Sequence, residues 1–230
     1  MQNGFFALMS RLKNITRWSL MRNSAPENVQ EHSHMVAVIA HALAVIRRDV
    51  LGVATDPGAV AAAALFHDAS EIFTGDLPTP IKYFNPEIMT AYKRVESTAS
   101  QKLLLTLPEE LRSAYEPLLS ASSGVAGGGV VEDTSAGGIS VGDADTTGGA
   151  SATGNADDNG VRSLVKAADT LAAYIKCLEE QRAGNLEFRR AAKQSLDKLE
   201  ALCMPEVAYF IEHFIPAFEL TLDDMDFSFE

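Results

Sequence analysis

The stretch DPGAVAAAALFHDASE, residues 56–71, decides how the chain is to be read. Asp56 followed by Pro57 is a strong helix start: the carboxylate can accept from the first free amides, and proline fits the first helical position, where no donor is required. Val60, Ala63, Ala64, His67 and Glu71 then share one face of a helix running to about Gly75. Alanines on that face let a neighbouring helix approach closely, which marks a central, buried element. The segment therefore predicts an inner helix that carries an imidazole and a carboxylate, His67 and Asp68. The rigid run Asp76-Leu77-Pro78-Thr79-Pro80 ends it.

Working outward, the same periodicity recurs and no alternating strand pattern stands beside it, so the fold class is all-α. A short amphipathic helix spans Phe5 to about Lys13. A longer one runs from about Asn28 to Val50, with Met35, Val36, Ile39, Leu43 and Ile46 as an apolar stripe and His32 on that stripe one turn earlier. Helices over about 86–105 and 108–119 follow. Beyond them lies a helix from Val161 to about Gln181, with Leu164, Ala168, Leu171, Ile175 and Leu178 on one face and Asp169 beside it. Helices near 186–202 and 207–214 close the chain.

Between these helices the composition changes. Residues 121–160 hold 11 of the 16 glycines, no aromatic residue, no Lys or Arg, and six acids. Such a segment cannot bury enough apolar surface to offset its ordering entropy, so it is expected to be a disordered Gly/Ala/Asp-rich insertion in a single domain of 1–230. It carries six of the twelve net negative charges, which leaves the remainder only moderately acidic. A charge of −12 disfavours a protein built to grip a nucleic-acid polymer. No apolar run approaches the roughly 20 residues of a membrane span. The basic residues of MQNGFFALMSRLKN follow its short apolar stretch, unlike a secretory signal. Cys177 and Cys203 form no metal-spacing pattern and read as reduced thiols. The expected location is the cytoplasm.

A histidine on an apolar stripe is, by itself, an ordinary core residue, and His34 and His41 fit that description. A His-Asp dipeptide is equally weak alone. An aspartate in a helix as apolar as 164–178 is different, because an isolated buried carboxylate is strongly penalised. A cation shared among His32, His67, Asp68 and Asp169 resolves that cost. Two imidazoles and two carboxylates suit one divalent ion, with positions left open for water. The ion could be Co, Mn, Fe, Ni or Zn by ligand type alone.

The series His32, His67-Asp68, Asp169 resembles the H…HD…D signature of the HD-domain phosphohydrolases. More specific strings are Arg17-Trp18, Leu20-Met21-Arg22-Asn23, Glu31-His32-Ser33, His67-Asp68-Ala69-Ser70-Glu71, Thr74 to Pro80, and Lys176-Cys177-Leu178-Glu179-Glu180. Together they resemble the bacterial 5'-deoxynucleotidases of the YfbR type over nearly the whole chain, apart from about 121–160. The resemblance implies an HD-domain helical bundle, hydrolysis of small-molecule deoxyribonucleoside 5'-monophosphates to deoxynucleoside and phosphate with a cobalt, manganese or similar divalent ion, and a homodimer. It implies metal ligands at His32, His67, Asp68 and Asp169. It implies substrate contacts at Arg17, Trp18, His32, Asp76, Leu77, Pro78, Thr79 and Asp169, and catalytic roles for Glu71 and Trp18.

The residues can be weighed against those roles. Arg17 can hold a phosphate through a bidentate contact. Trp18 either walls the site or anchors helices. Glu71, four residues after His67 and hence expected on its helix face, is either a proton carrier or a solvent-facing glutamate. Asp76 either accepts from a sugar 3'-hydroxyl or caps a turn. Competing functions are another HD hydrolase, acting on a cyclic nucleotide, a triphosphate or an alarmone, and a non-catalytic helical interaction module. The first would call for more basic residues than Arg17, Arg22 and Lys82.

Overall fold

The computed structural model describes residues 3–82, 84–120 and 154–225, with backbone alone at 79–80 and 154–158. Among them there is no strand; one isolated antiparallel bridge joins Thr16 to Asn28. The helices are α1 (Phe5–Met9), α2 (Val29–Val45), α3 (Pro57–Leu65), α4 (Glu71–Thr74), α5 (Thr79–Lys82), α6 (Pro86–Leu104), α7 (Glu109–Ser120), α8 (Gly154–Arg182), α9 (Arg189–Ala201) and α10 (Pro205–His213). The expected insertion reaches to residue 160, but helix α8 already begins at Gly154, so its last seven residues are helical. The rest of that insertion, 121–153, lies outside the described residues.

The core is made by α2, α3 and α8. Val36, Ile39, Leu43 and Ile46 of α2 meet Val60, Ala63 and Ala64 of α3 and Leu164, Ala168, Leu171 and Ile175 of α8, all buried. Two caps set the register of the inner pair. Asn28 accepts from the amide of Glu31 at 3.0 Å while Glu31 accepts from that of Asn28 at 3.3 Å, starting α2 one turn before His32. Asp56 accepts from the amides of Gly58 and Ala59 at 2.8 and 3.2 Å, as its pairing with Pro57 predicts.

The expected continuous helix over 56–75 is broken. Helix α3 ends at Leu65, and residues 66–70 form a tight turn in which the amides of Ala69 and Glu71 bond back three residues, to Phe66 and Asp68. The cause is local: the Ala64 carbonyl accepts from the His67 ring at 2.8 Å and from the His67 amide at 3.3 Å, in place of the Asp68 amide that an α-helix would bring there. Residues 67 and 71 therefore do not share a helix face. In exchange, the neighbouring side chains of His67 and Asp68 converge instead of diverging by about 100° as they would on a helix.

Helix α8 also fastens the loop that follows Trp18. The carboxylate of Glu180 is fully buried and accepts from the Ser24 amide at 2.8 Å, the Ser24 hydroxyl at 2.7 Å, the Ala25 amide at 3.1 Å, Asn185 at 2.8 Å and the Lys176 ammonium. Burial alone would raise its pKa, but these donors hold it well below the usual carboxylate range. Removing the acid would leave Lys176 and two loop amides buried without it. Glu180→Ala is expected to cost about 3–5 kcal/mol in urea unfolding. A loss below about 1 kcal/mol, the scale of a surface pair, would contradict this clamp.

Candidate active site

Three elements bring the ionisable residues together: the first turns of α2, the turn after α3, and the middle of α8. One donor atom each from His32, His67 and Asp169 lies within 4.8 Å of the others. Nε2 of His32 is 3.0 Å from Oδ1 of Asp169. Asp68 stands at the margin of this trio, its Oδ2 3.0 Å from Nε2 of His67, 3.8 Å from Nε2 of His32 and 3.4 Å from Nη1 of Arg17. His32 is fully buried, and the Asp169 side chain, 43 % exposed, leaves the cluster reachable from solvent.

The arrangement fits a divalent cation on an observation independent of residue type. His67 donates Nδ1–H to Ala64, which aims Nε2 into the cluster, where it makes no well-aligned hydrogen bond and lies 3.0 Å from Oδ2 of Asp68. Histidines that bind metals are oriented in this manner, with the far nitrogen tied to a carbonyl or carboxylate. In the ion-free protein, burial works against protonation of His67. The Asp68 carboxylate outweighs it, helped by Asp169 and the Ala64 bond, and lifts the pKa to about 9. Dense negative charge of this kind is what a cation would neutralise.

Arg17 closes one side. Its Nε donates to Glu27 at 3.2 Å and its Nη1 to Asp68 at 3.4 Å, while Nη2 makes no hydrogen bond among the described residues. Burial would weaken its charge, but Asp68, Asp169, Glu27 and Asp76 together raise its pKa. Trp18 shows the anchoring contacts that were one of its two alternatives. Its ring packs on Phe188 with centroids 5.3 Å apart, and its indole N–H donates to Glu27 at 2.9 Å beside the site. Its φ of 57° is unusual for a bulky residue.

Glu71 opens α4, one turn beyond Asp68, with an amide bonded to the Asp68 carbonyl. Its buried Oε2 has no hydrogen-bond partner. Burial, then the nearby charges of Asp68 and Asp76, push its pKa up to about 10 against the pull of Arg17 and Lys82. It is a neutral acid at physiological pH. It reaches this state from a separate helix and not from the face of His67.

Asp76 follows Gly75, whose φ of 68° ends α4. Its pKa is raised, first by burial, although Arg17 and a hydrogen bond from the Trp18 backbone pull the other way. Leu77 and Pro78 line the same half-buried loop, and Thr79 begins α5. The loop thus joins the Arg17-Trp18 segment. His34 and His41 are not the core residues expected: both lie on the solvent side of α2 and are exposed. The residue that the sequence reading missed is Glu27. Its only signal is an acid placed immediately before the Asn28 cap.

The model of the family described as 5'-deoxynucleotidase YfbR-like matches residues 4–131 and 151–218. A Vibrio cholerae protein named 5'-deoxynucleotidase is 42 % identical over 224 residues, covering 97 % of this chain and 98 % of its own. Among solved structures, an HD-domain phosphohydrolase from Listeria innocua superposes with a TM-score of 0.67 at 22 % identity, covering 93 % of this chain and 87 % of its own. The cyanophage S-2L HD phosphohydrolase DatZ, bound to dA and one catalytic Zn2+ ion, has a TM-score of 0.55 at 17 % identity, covering 91 % and 95 %.

Proposed function

The chain belongs to the YfbR-like 5'-deoxynucleotidase family, and on that premise we propose that it removes the 5'-phosphate of deoxyribonucleoside 5'-monophosphates at the cluster of His32, His67, Asp68 and Asp169. It is an HD-domain phosphoric monoester hydrolase that yields deoxynucleoside and phosphate. The observation that carries the reading is Nε2 of His67, turned into the cluster by the Ala64 bond, beside His32, Asp169 and the Asp68 carboxylate that Arg17 also holds.

His32, His67, Asp68 and Asp169 would hold a divalent ion, which would supply an activated water and positive charge for the phosphoryl oxygens. The protein's own groups supply the rest. The outer edge of Arg17, fixed at Nε and Nη1, offers Nη2 to the dianion. Water oxygen bonds to phosphorus as the bond from phosphorus to the 5'-oxygen breaks. Glu71, neutral through burial, gives its proton to that leaving oxygen and regains one from the water consumed. Trp18 walls the phosphate. Asp76 accepts from the 3'-hydroxyl, and Leu77, Pro78 and Thr79 form a stiff edge that rejects a 2'-hydroxyl.

Cobalt or manganese, which the family resemblance implies and the imidazole and carboxylate donors accept, is the ion we propose. We place the enzyme in the cytoplasm, a setting supported by two unpaired thiols, Cys177 and Cys203. No described helix is long and apolar enough to cross a membrane. A homodimer is supported by Phe84, Ile88, Val95 and Leu105, apolar side chains left in solvent on and around α6.

The test is a panel of deoxy and ribo 5'- and 3'-monophosphates assayed with Co, Mn, Mg and Zn after chelation. Phosphate release is expected from the deoxy 5'-monophosphates with little regard to base, and at a rate at least about tenfold lower from the ribo compounds, the scale of one unpaired polar contact. Release confined to 3'-phosphates would overturn the reading.

A further inference from the structure

The carboxylate that this chemistry leaves unused is Glu27. It ends the loop that Arg17 begins, and the backbone sets the two side by side. The Arg17 amide donates to the Glu27 carbonyl at 2.9 Å, Val29 donates to Ile15 at 3.0 Å, and Thr16 bridges Asn28. One oxygen, Oε2, accepts from both Nε of Arg17 and the Trp18 indole. The other, Oε1, lies 3.9 Å from Nδ1 of His32, a buried nitrogen without a hydrogen-bond partner. Trp18 sits in left-handed backbone, which is strained for a bulky residue and persists only where surrounding contacts hold it. The Glu27 bond is one such contact; the Phe188 ring and the Asn23 amide on the Trp18 carbonyl are others.

We propose that Glu27 is a positioning residue that aims Arg17 and Trp18 at the substrate phosphate and presents an acceptor to the Nδ1 edge of His32, so that phosphate binding and ion binding depend on one side chain. The inference rests on the roles proposed above for Arg17 and His32. Its physical content is pre-organisation. With Nε held by Glu27 and Nη1 by Asp68, the guanidinium plane is fixed before substrate arrives, and only its outer edge remains to be engaged. A carboxylate 3.9 Å beyond Nδ1 of His32 is placed to orient the ring by closing that gap when Nε2 is engaged by an ion.

The test compares Glu27→Ala, Glu27→Gln and Arg17→Ala as full-length, cobalt-loaded enzymes. Inhibition by inorganic phosphate reports the grip, and cobalt retention against a chelator reports the ion site. Emission of Trp18, the only tryptophan, reports the indole contact. Glu27→Ala is expected to raise KM and the phosphate inhibition constant about tenfold, the loss of a charge-assisted hydrogen bond, and to shift the indole emission. Cobalt retention should fall about tenfold or more, as when other outer partners of ligating histidines are removed. Glu27→Gln keeps one carbonyl oxygen for both donors, so emission and phosphate inhibition should stay within about threefold of the parent while cobalt retention falls.

If Glu27→Ala does not fold, Glu27→Gln decides the matter through that split: loss of cobalt retention with emission preserved supports the role, and cobalt retention equal to the parent's overturns it. Phosphate inhibition, emission and cobalt retention of Glu27→Ala all at parental values overturn it as well. Arg17→Ala separates the two readings. If that variant loses phosphate affinity and Glu27→Ala does not, only the Glu27 role fails. If Arg17→Ala binds phosphate like the parent, the phosphate grip itself fails.

Discussion

Glu71→Gln is expected to lower turnover about 10²–10⁴-fold, the range for loss of a positioned proton donor, while leaving the bound ion in place. It should also make the ion-free protein more stable in alkaline solution. The reason is linkage. Burial lifts the carboxyl from an ordinary 4.5 to about 10, so the folded chain holds a proton that the unfolded chain releases between those values. Its contribution to stability is complete below about pH 4.5 and declines as pH rises toward about 10. Glutamine has the shape of the neutral acid and no such decline. Thermal melts of chelated parent and variant should diverge with pH, the variant gaining on the order of 2 kcal/mol, or ~5 °C, by mildly alkaline conditions. Parallel melting curves would show that Glu71 is ionised in the folded protein, and full activity in Glu71→Gln would remove it from proton transfer.

The second large effect belongs to the cluster itself. His67→Ala and Asp169→Ala are each expected to weaken cation binding by more than about 100-fold, because even outer partners of ligating histidines cost 10–100-fold. Turnover should fall to background with it. Binding in the parent should also depend on pH in a fixed direction. His67 is protonated below about 9 in the ion-free protein, so a cation must displace that proton, and apparent affinity rises with pH up to about 9 and then levels. Asp68→Ala is the harsher change in another sense: it removes a carboxylate beside both histidines and also the anchor on Nη1 of Arg17.

Much of this was legible in the residues. The all-α class, the inner position of α3 and the cap at Asp56 follow from periodicity and local hydrogen-bond chemistry, and the helices obey both. The meeting of His32, His67 and Asp169 could be anticipated because an aspartate on an apolar helix needs a reason to be there. What periodicity could not anticipate was the break after Leu65. A single ring nitrogen claims the Ala64 carbonyl there, and no repeat pattern encodes that claim. Glu27 escaped notice for a related cause. Its importance comes from the Thr16–Asn28 bridge, which folds two loop ends together and is visible only in three dimensions. The Lys176 and Glu180 pair was noticed as part of a string, yet its task, fastening Ser24 and Ala25 to the helix that carries Asp169, depends on contacts about 150 residues apart in sequence.

The central claim is that one cation, held by the residues of α2, α8 and the turn after Leu65, makes this chain a 5'-deoxynucleotidase. The most direct measurement is a titration of chelated protein with cobalt or manganese, following bound ion and phosphate released from dAMP together. The account predicts that turnover returns in step with one ion per chain, and that Asp169→Ala, folded and chelated in the same way, regains neither. Phosphate release that survives complete chelation, or an Asp169→Ala variant that titrates like the parent, would contradict it.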